Sequence, residues 1–202
     1  MPKFVLCLLA LSLLLVGCGG PRLSVDPDWK DAPKNFHVIA SAPYVANADD
    51  LTDDFRDENS FRRWFATYLD SSLTEYSVAK PSVKIVDDAV FSTGLLKLGD
   101  EFAKFPLPEV EKLEGIGGVV IAVHPVRFWR DATPCPNGGC IGGKHLNVMM
   151  SYTIVAVEDM RVLAYGVARV NDSFTFAMTR GNWESVIKGA AKQLLEDTPL
   201  KK

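Results

Sequence analysis

Histidine is scarce in this chain, basic charge is not in surplus and no apolar run reaches the length of a membrane span, and each shortage removes a class of function. No serine stands in a Gly-x-Ser-x-Gly run and no His-Glu-x-x-His is present, so the sequence has neither a nucleophile elbow nor a zincin helix. The histidines are His37, His124 and His145, and a hydrolase would need one of them beside a nucleophile. His37 and His124 fall in strand-like runs, where a packed or edge side chain is expected. With 22 basic against 25 acidic residues the formal charge is −3. No basic patch interleaves with aromatics, which argues against a nucleic-acid partner. The Gly117-Gly118 pair leads into a strand and not into a helix N-terminus, so it makes no phosphate cradle. There are no repeats and no low-complexity tract. The sequence therefore predicts a protein that is not an enzyme, with no cofactor, no catalytic residue and no dedicated metal site.

What is present begins at the N-terminus. Lys3 precedes an apolar run from Phe4 to Val16. That run suits a signal-peptide core, whereas a spanning helix needs about 20 apolar residues. Leu15-Val16-Gly17-Cys18 resembles the lipobox of bacterial lipoproteins, which implies cleavage before Cys18 and acylation of its sulfur and its amine. The alternative is an ordinary secretory signal with an incidental cysteine; Cys7 would be lost with the signal in either case. Each buried methylene contributes about 0.8 kcal/mol, so two or three acyl chains anchor stably where one does not. Gly19 follows the cysteine in place of aspartate, which by the sorting rule of enteric bacteria favours the periplasmic face of the outer membrane. Residues 1–17 are thus expected to be the signal peptide, and residues 18–35 the lipidated cysteine and a flexible tether rich in Gly, Pro and Asp. Trp29, within the tether, is expected to pack on the domain. Residues 36–202 form the domain, and loss of Lys3 leaves the mature chain at −4.

Cys135 and Cys140 lie in TPCPNGGC, and export would place them where disulfides persist. Proline and Asn-Gly-Gly bend the chain between them, so a structural disulfide is expected. Zinc on Cys135, Cys140 and His145, with or without His124, is the competing reading, although the spacing is not a specific zinc pattern. A redox pair fits less well, because the spacing is not Cys-x-x-Cys. The carboxylates from Asp49 to Glu58 read as a solvated acidic loop, and their spacing is not that of an EF-hand.

Along the chain, FHVIASAPYV (36–45) alternates as a strand. A helix follows over 61–76, capped by Asn59 or Ser60, with Phe61, Trp64, Phe65 and Tyr68 on its core face. VKIVDD is a short strand after Pro81. The leucine and phenylalanine spacing predicts a helix over 93–105 and a further helical turn opened by Pro108. GVVIAVHPVRFW (118–129) is a long strand, and 145–170 is a hairpin turning near Glu158-Asp159. A final helix, capped by Asn182, buries Trp183, Val186, Ile187, Ala190, Ala191 and Leu194. The order β-α-β-α-β-β-β-α predicts a single α/β sandwich domain with helices packed on a mixed sheet.

That order, with VIASAPYVAN, VKIVDD, LGDEFAKFPLPEVEKLEGIGGVVIAVHPV and MMSYTIVAVEDMRVLAYGVARV, resembles a group of bacterial envelope lipoproteins. Their domain is like the N-terminal domain of TolB, and the group includes LpoB, CsgG and the DUF799-type lipoproteins. The likeness spans residues 36–197. This chain departs from the group in its Asp-Met hairpin turn and its cysteine loop. The resemblance implies a membrane-tethered, non-enzymatic binding or accessory module of an envelope complex, with protein partners in the envelope; a homo-oligomer is compatible with it. The alternatives are an auxiliary lipoprotein of a lipid-trafficking ABC transporter and a metal-handling lipoprotein. The expected partner surface joins the loops 46–59 and 131–144, with Asp49, Asp50, Asp53, Asp54, Trp129 and Arg130 as its named residues.

Overall fold

The computed structural model describes residues 23–46, 51, 54–113, 115–132, 144–175 and 177–202. The features expected at Cys18, at Asp49, Asp50 and Asp53, and at Cys135 and Cys140 lie outside these residues. The elements run β1 (Leu23–Val25), β2 (Asn35–Ser41), β3 (Tyr44–Val45), α1 (Glu58–Tyr76) and β4 (Lys80–Val86). They continue with β5 (Phe91–Leu98), β6 (Glu101–Pro108), β7 (Val119–Ala132), β8 (Lys144–Ala156), β9 (Arg161–Phe174) and α2 (Arg180–Leu194). The main sheet has the order β1-β9-β8-β7-β2-β4, with β3 added alongside β7. β2 runs parallel to both β4 and β7, and β7, β8 and β9 form an antiparallel meander. This is the expected α/β sandwich on a mixed sheet.

The sheet's position follows from burial on its two faces. β2 is buried on both, with Val38 and Ala40 under the helices and Ile39 packed on the far side with Leu113, Val120 and Ala122. β-branched residues suit such a doubly covered strand. α1 buries Phe61, Phe65, Leu69 and Leu73, one stripe at helical spacing. Each side chain contributes about 1.5–3 kcal/mol by leaving water. α2 buries all six residues expected of it. Both helix starts lie upstream of the expected caps. Asp57, not Asn59 or Ser60, accepts the Ser60 backbone N–H at 2.7 Å. Thr179 precedes α2, and Asn182 sits one turn in, its Oδ1 accepting the Thr179 backbone N–H at 2.8 Å. The shift places the carboxylate acceptor Asp57 at the positive end of α1, where it satisfies an otherwise orphaned amide.

Two expectations are corrected. Residues 93–105 form no helix: β5 and β6 pair as an antiparallel hairpin from Phe91↔Pro108 to Leu98↔Glu101. Gly99, at φ 64°, supplies the left-handed turn residue. Pro106 and Pro108 would break a helix, but a strand of a two-stranded sheet admits them. The domain also begins before residue 36. β1 pairs with β9, Trp29 is buried, and Arg161 holds Asp26 at 3.3 Å. Residues 23–35 belong to the domain, and Trp29 packs on it as expected.

Two consequences for stability follow. At Gly189, α2 lies so close to β9 that an added Cβ would fall 2.7 Å from Val170 Cγ1. Gly189→Ala is expected to cost about 1–3 kcal/mol by overpacking, against the gain of about 1 kcal/mol that alanine brings to a helix. Val170→Ala in the same chain should restore most of the loss, read as urea midpoints. Tyr152 is buried, and burial raises its phenol well above the usual 10.0. Above pH 10 the unfolded chain loses this proton and the folded chain keeps it, so stability falls with rising pH, by up to about 1.4 kcal/mol per unit. Tyr152→Phe should flatten that slope in melts taken between pH 9 and 11.

Candidate functional site

One end of the domain carries the described ends of both segments on which the sequence places the partner surface. β3 leaves β2 and pairs with β7, Tyr44 opposite Arg127 and Val45 opposite Phe128. The Ala46 N–H then donates to the Phe128 carbonyl at 2.9 Å. The acidic loop thus departs next to Trp129 and Arg130, and α1 and α2 both begin at this end. Phe55 closes the loop by seating its ring 4.9 Å from Phe61, 4.8 Å from Trp64 and 5.9 Å from Trp183. The Arg180 guanidinium lies 5.1 Å from the centre of the Trp64 ring and 5.6 Å from that of Phe55, a cation–π contact that ties α2 to the loop.

A cavity of about 260 Å³ opens here between Pro43, Tyr44, Leu51, Glu58, Arg62 and Asp88. Arg62 Nη2 reaches Glu58 at 3.6 Å, while Arg62 Nε and Asp54 Oδ2 are buried with no hydrogen-bond partner. Tyr44 is 61% exposed. His124 lies 3.6 Å from Asp88 and stacks on Phe91 at 5.1 Å, a packed strand residue as expected. Asp57 is held below the usual carboxylate range by the Ser60 amide.

Beyond the hairpin, no described element packs on the face of the meander that points away from the helices. Strand register places Trp129, Asn147 and Asn171 in one row, and Arg127, Met149 and Arg169 in the next. Trp129, Asn147, Met149, Arg169 and Asn171 line a cavity of about 440 Å³. Trp129 is half-buried and Arg130 is exposed. The next row holds Asp131, His145 and Ser173, with His145 Nδ1 3.1 Å from Ser173 Oγ. The sequence reading sought a histidine beside a nucleophile and did not find this pair, because only the register of three strands brings residues so far apart in the chain together. Tyr44 and Arg62 were missed as well; Tyr44 stood inside an expected strand and Arg62 on a helix face read only for its apolar stripe. Among the described residues no group of three or more His, Cys, Asp or Glu side chains is placed to hold a metal ion.

The class this geometry defines is an α/β sandwich with a loop-bearing end, whose meander face carries no described element beyond the hairpin. No family model matches the chain, and no curated protein matches it. Among solved structures, a PelC from Paraburkholderia phytofirmans, described as a dodecamer, is similar at 11% identity and TM-score 0.44, over 91% of this chain and all of that one. A minor lipoprotein from Acinetobacter baumannii is similar at 13% identity and TM-score 0.35, over 80% of this chain and 88% of that one. Lipoprotein GNA1162 from Neisseria meningitidis is similar at 9% and 0.35, over 82% of this chain and 100% of that one. At these scores the likenesses carry no argument about function, assembly or place in the cell. Among the described residues no helix is long and apolar enough to cross a membrane.

Proposed function

We propose that the chain is an acylated envelope lipoprotein, anchored through Cys18 at the periplasmic face of the outer membrane, and that its domain is a non-enzymatic binding module of an envelope complex. The observation that carries this reading is the lipobox-like Leu15-Val16-Gly17-Cys18, separated by only four residues from Leu23, where the first strand among the described residues begins. Neighbouring strand residues point to opposite faces, so Arg130 lies on the helix side with Phe55 at the end of the acidic loop and supports a docking surface there, while Trp129 faces the meander side. Arginine is a favoured anchor of such surfaces. The test is photo-crosslinking in the native cell from positions 44, 54, 129 and 130. One recurrent protein adduct shared by 44, 54 and 130 supports the module, and its mass names the partner. Adducts scattered over unrelated proteins, or none, count against it.

A hydrolytic reading has one observation in its favour, the Asp131, His145 and Ser173 row. A serine within hydrogen-bond reach of a histidine is the start of the arrangement that activates a hydroxyl for acyl transfer, and Asp131 is the register partner of that histidine. Ser173 is exposed, whereas an activated serine is normally shielded from water. Labelling with a fluorophosphonate decides between the two. A module leaves Ser173 unlabelled, whereas labelling that Ser173→Ala and His145→Ala both abolish would establish an activated serine.

A further inference from the structure

The β5–β6 hairpin plays no part in the reading above, and its two faces differ in character. The inner face turns Gly94, Leu96, Phe105 and Leu107 toward the sheet; Phe105 is buried and packs edge-on to Tyr165 of β9 at 5.1 Å. The outer face carries Leu95 and Phe102, exposed by 64% and 66%. Each stands opposite a lysine, Leu95 paired with Lys104 and Phe102 with Lys97. The four side chains form one block, with Leu95 and Phe102 on one diagonal and Lys97 and Lys104 on the other.

The place of the hairpin matters as much as its composition. Phe91 stacks on His124 of β7, and the Tyr165 hydroxyl of β9 donates to the Lys97 carbonyl. The hairpin therefore crosses the sheet from β7 toward its β1 edge, and its tip lies over β9. Tyr165 is the register partner of Ser24 in β1. The tip is thus next to the point where the chain leaves the domain toward Cys18. Only Gly19 to Arg22 separate Cys18 from Leu23. That segment reaches at most about 18 Å when fully extended.

We propose that the outer face of this hairpin is a second membrane contact, with Leu95 and Phe102 entering the lipid interface beside the acyl anchor and Lys97 and Lys104 remaining at headgroup level. The proposal rests on acylation of Cys18. A lipid surface is the occupant these observations favour, because the anchor holds this edge of the domain within reach of the bilayer. A linker that short gives a high effective concentration, so a contact too weak to bind alone is still occupied. Interfacial segments bury their apolar side to about 5–10 Å while long cationic side chains extend back to the headgroups. Asp100 and Glu101 offset the two lysines at the tip, so apolar insertion and not attraction to anionic lipid holds the contact.

The experiment places a photoreactive phenylalanine analogue in the full chain in native cells, in turn at Phe102, at Leu95 and at Thr67. Thr67 is exposed on α1, across the sheet from the hairpin. The state of Cys18 is read from the mass of the same preparation. The expected result is lipid adducts at 102 and 95 in yields about tenfold above those at 67, as expected of side chains held out of water. Phe102→Ser should lower the lipid yield at 95 several-fold. With Cys18 acylated, a recurrent protein adduct at 102, a second copy of this chain included, or a lipid yield no higher than at 67 overturns the proposal. An unacylated Cys18 overturns the lipoprotein reading and this proposal together, and the mass spectrum separates that case from an acylated chain whose hairpin stays out of the lipid.

Discussion

Replacing Trp183 by alanine is expected to cost about 3–5 kcal/mol, the range for removing a large aromatic from a packed core. Trp183 is fully buried on α2, with Phe61 at 5.0 Å, Phe128 at 5.4 Å and Phe55 at 5.9 Å. Those rings come from α1, from β7 and from the end of the acidic loop. The indole is where both helices, the sheet and the loop meet, and a void there has no neighbour free to fill it. Its Nε1 is buried with no hydrogen-bond partner. Trp183→Phe therefore removes an unsatisfied donor along with part of the ring, and should cost clearly less than the alanine variant. Chemical unfolding of the two variants measures the difference. Equal losses would mean that the pyrrole edge, and not the aromatic cluster as a whole, carries the packing. Because Phe55 belongs to the same cluster, Trp183→Ala should also raise protease cleavage within residues 46–57 before global unfolding.

The second large effect concerns Cys18. Two or three acyl chains at about 0.8 kcal/mol per buried methylene make membrane release negligible. Cys18→Ala removes the acceptor sulfur, so the lipobox-like sequence is no longer processed and the longer precursor should accumulate. The mature form should disappear from the outer-membrane fraction. The domain itself is expected to melt as before, because Leu23 is the first of the described residues that the sheet holds. A variant that is still processed and still sediments with the outer membrane would show that Cys18 is not the anchor.

How much of this was legible in the sequence depended on whether a signal was local. The stripes of α1 and α2, the β-branched run of β7 and the turn at Glu158-Asp159 are short-range patterns, and each sits where its pattern put it. Leu95, Leu96, Leu98, Phe102 and Phe105 fit helical spacing and strand alternation alike. The Gly99-Asp100 turn and the two prolines decided in favour of a hairpin. β1 could not be read because its neighbours are turn-formers and its partner lies some 140 residues further along the chain. The candidate site divided in the same way. Trp129 and Arg130 were visible as residue types beside a loop. The rows that join Trp129 to Asn147 and Asn171, and Asp131 to His145 and Ser173, exist only through strand register, which no local pattern encodes.

The measurement that tests the account most directly is the mass of the mature protein's N-terminal peptide, taken from native membranes. The account predicts a chain beginning at Cys18 that carries lipid on its sulfur and its amine. A mature chain beginning at any other residue, or an unmodified Cys18, would contradict it.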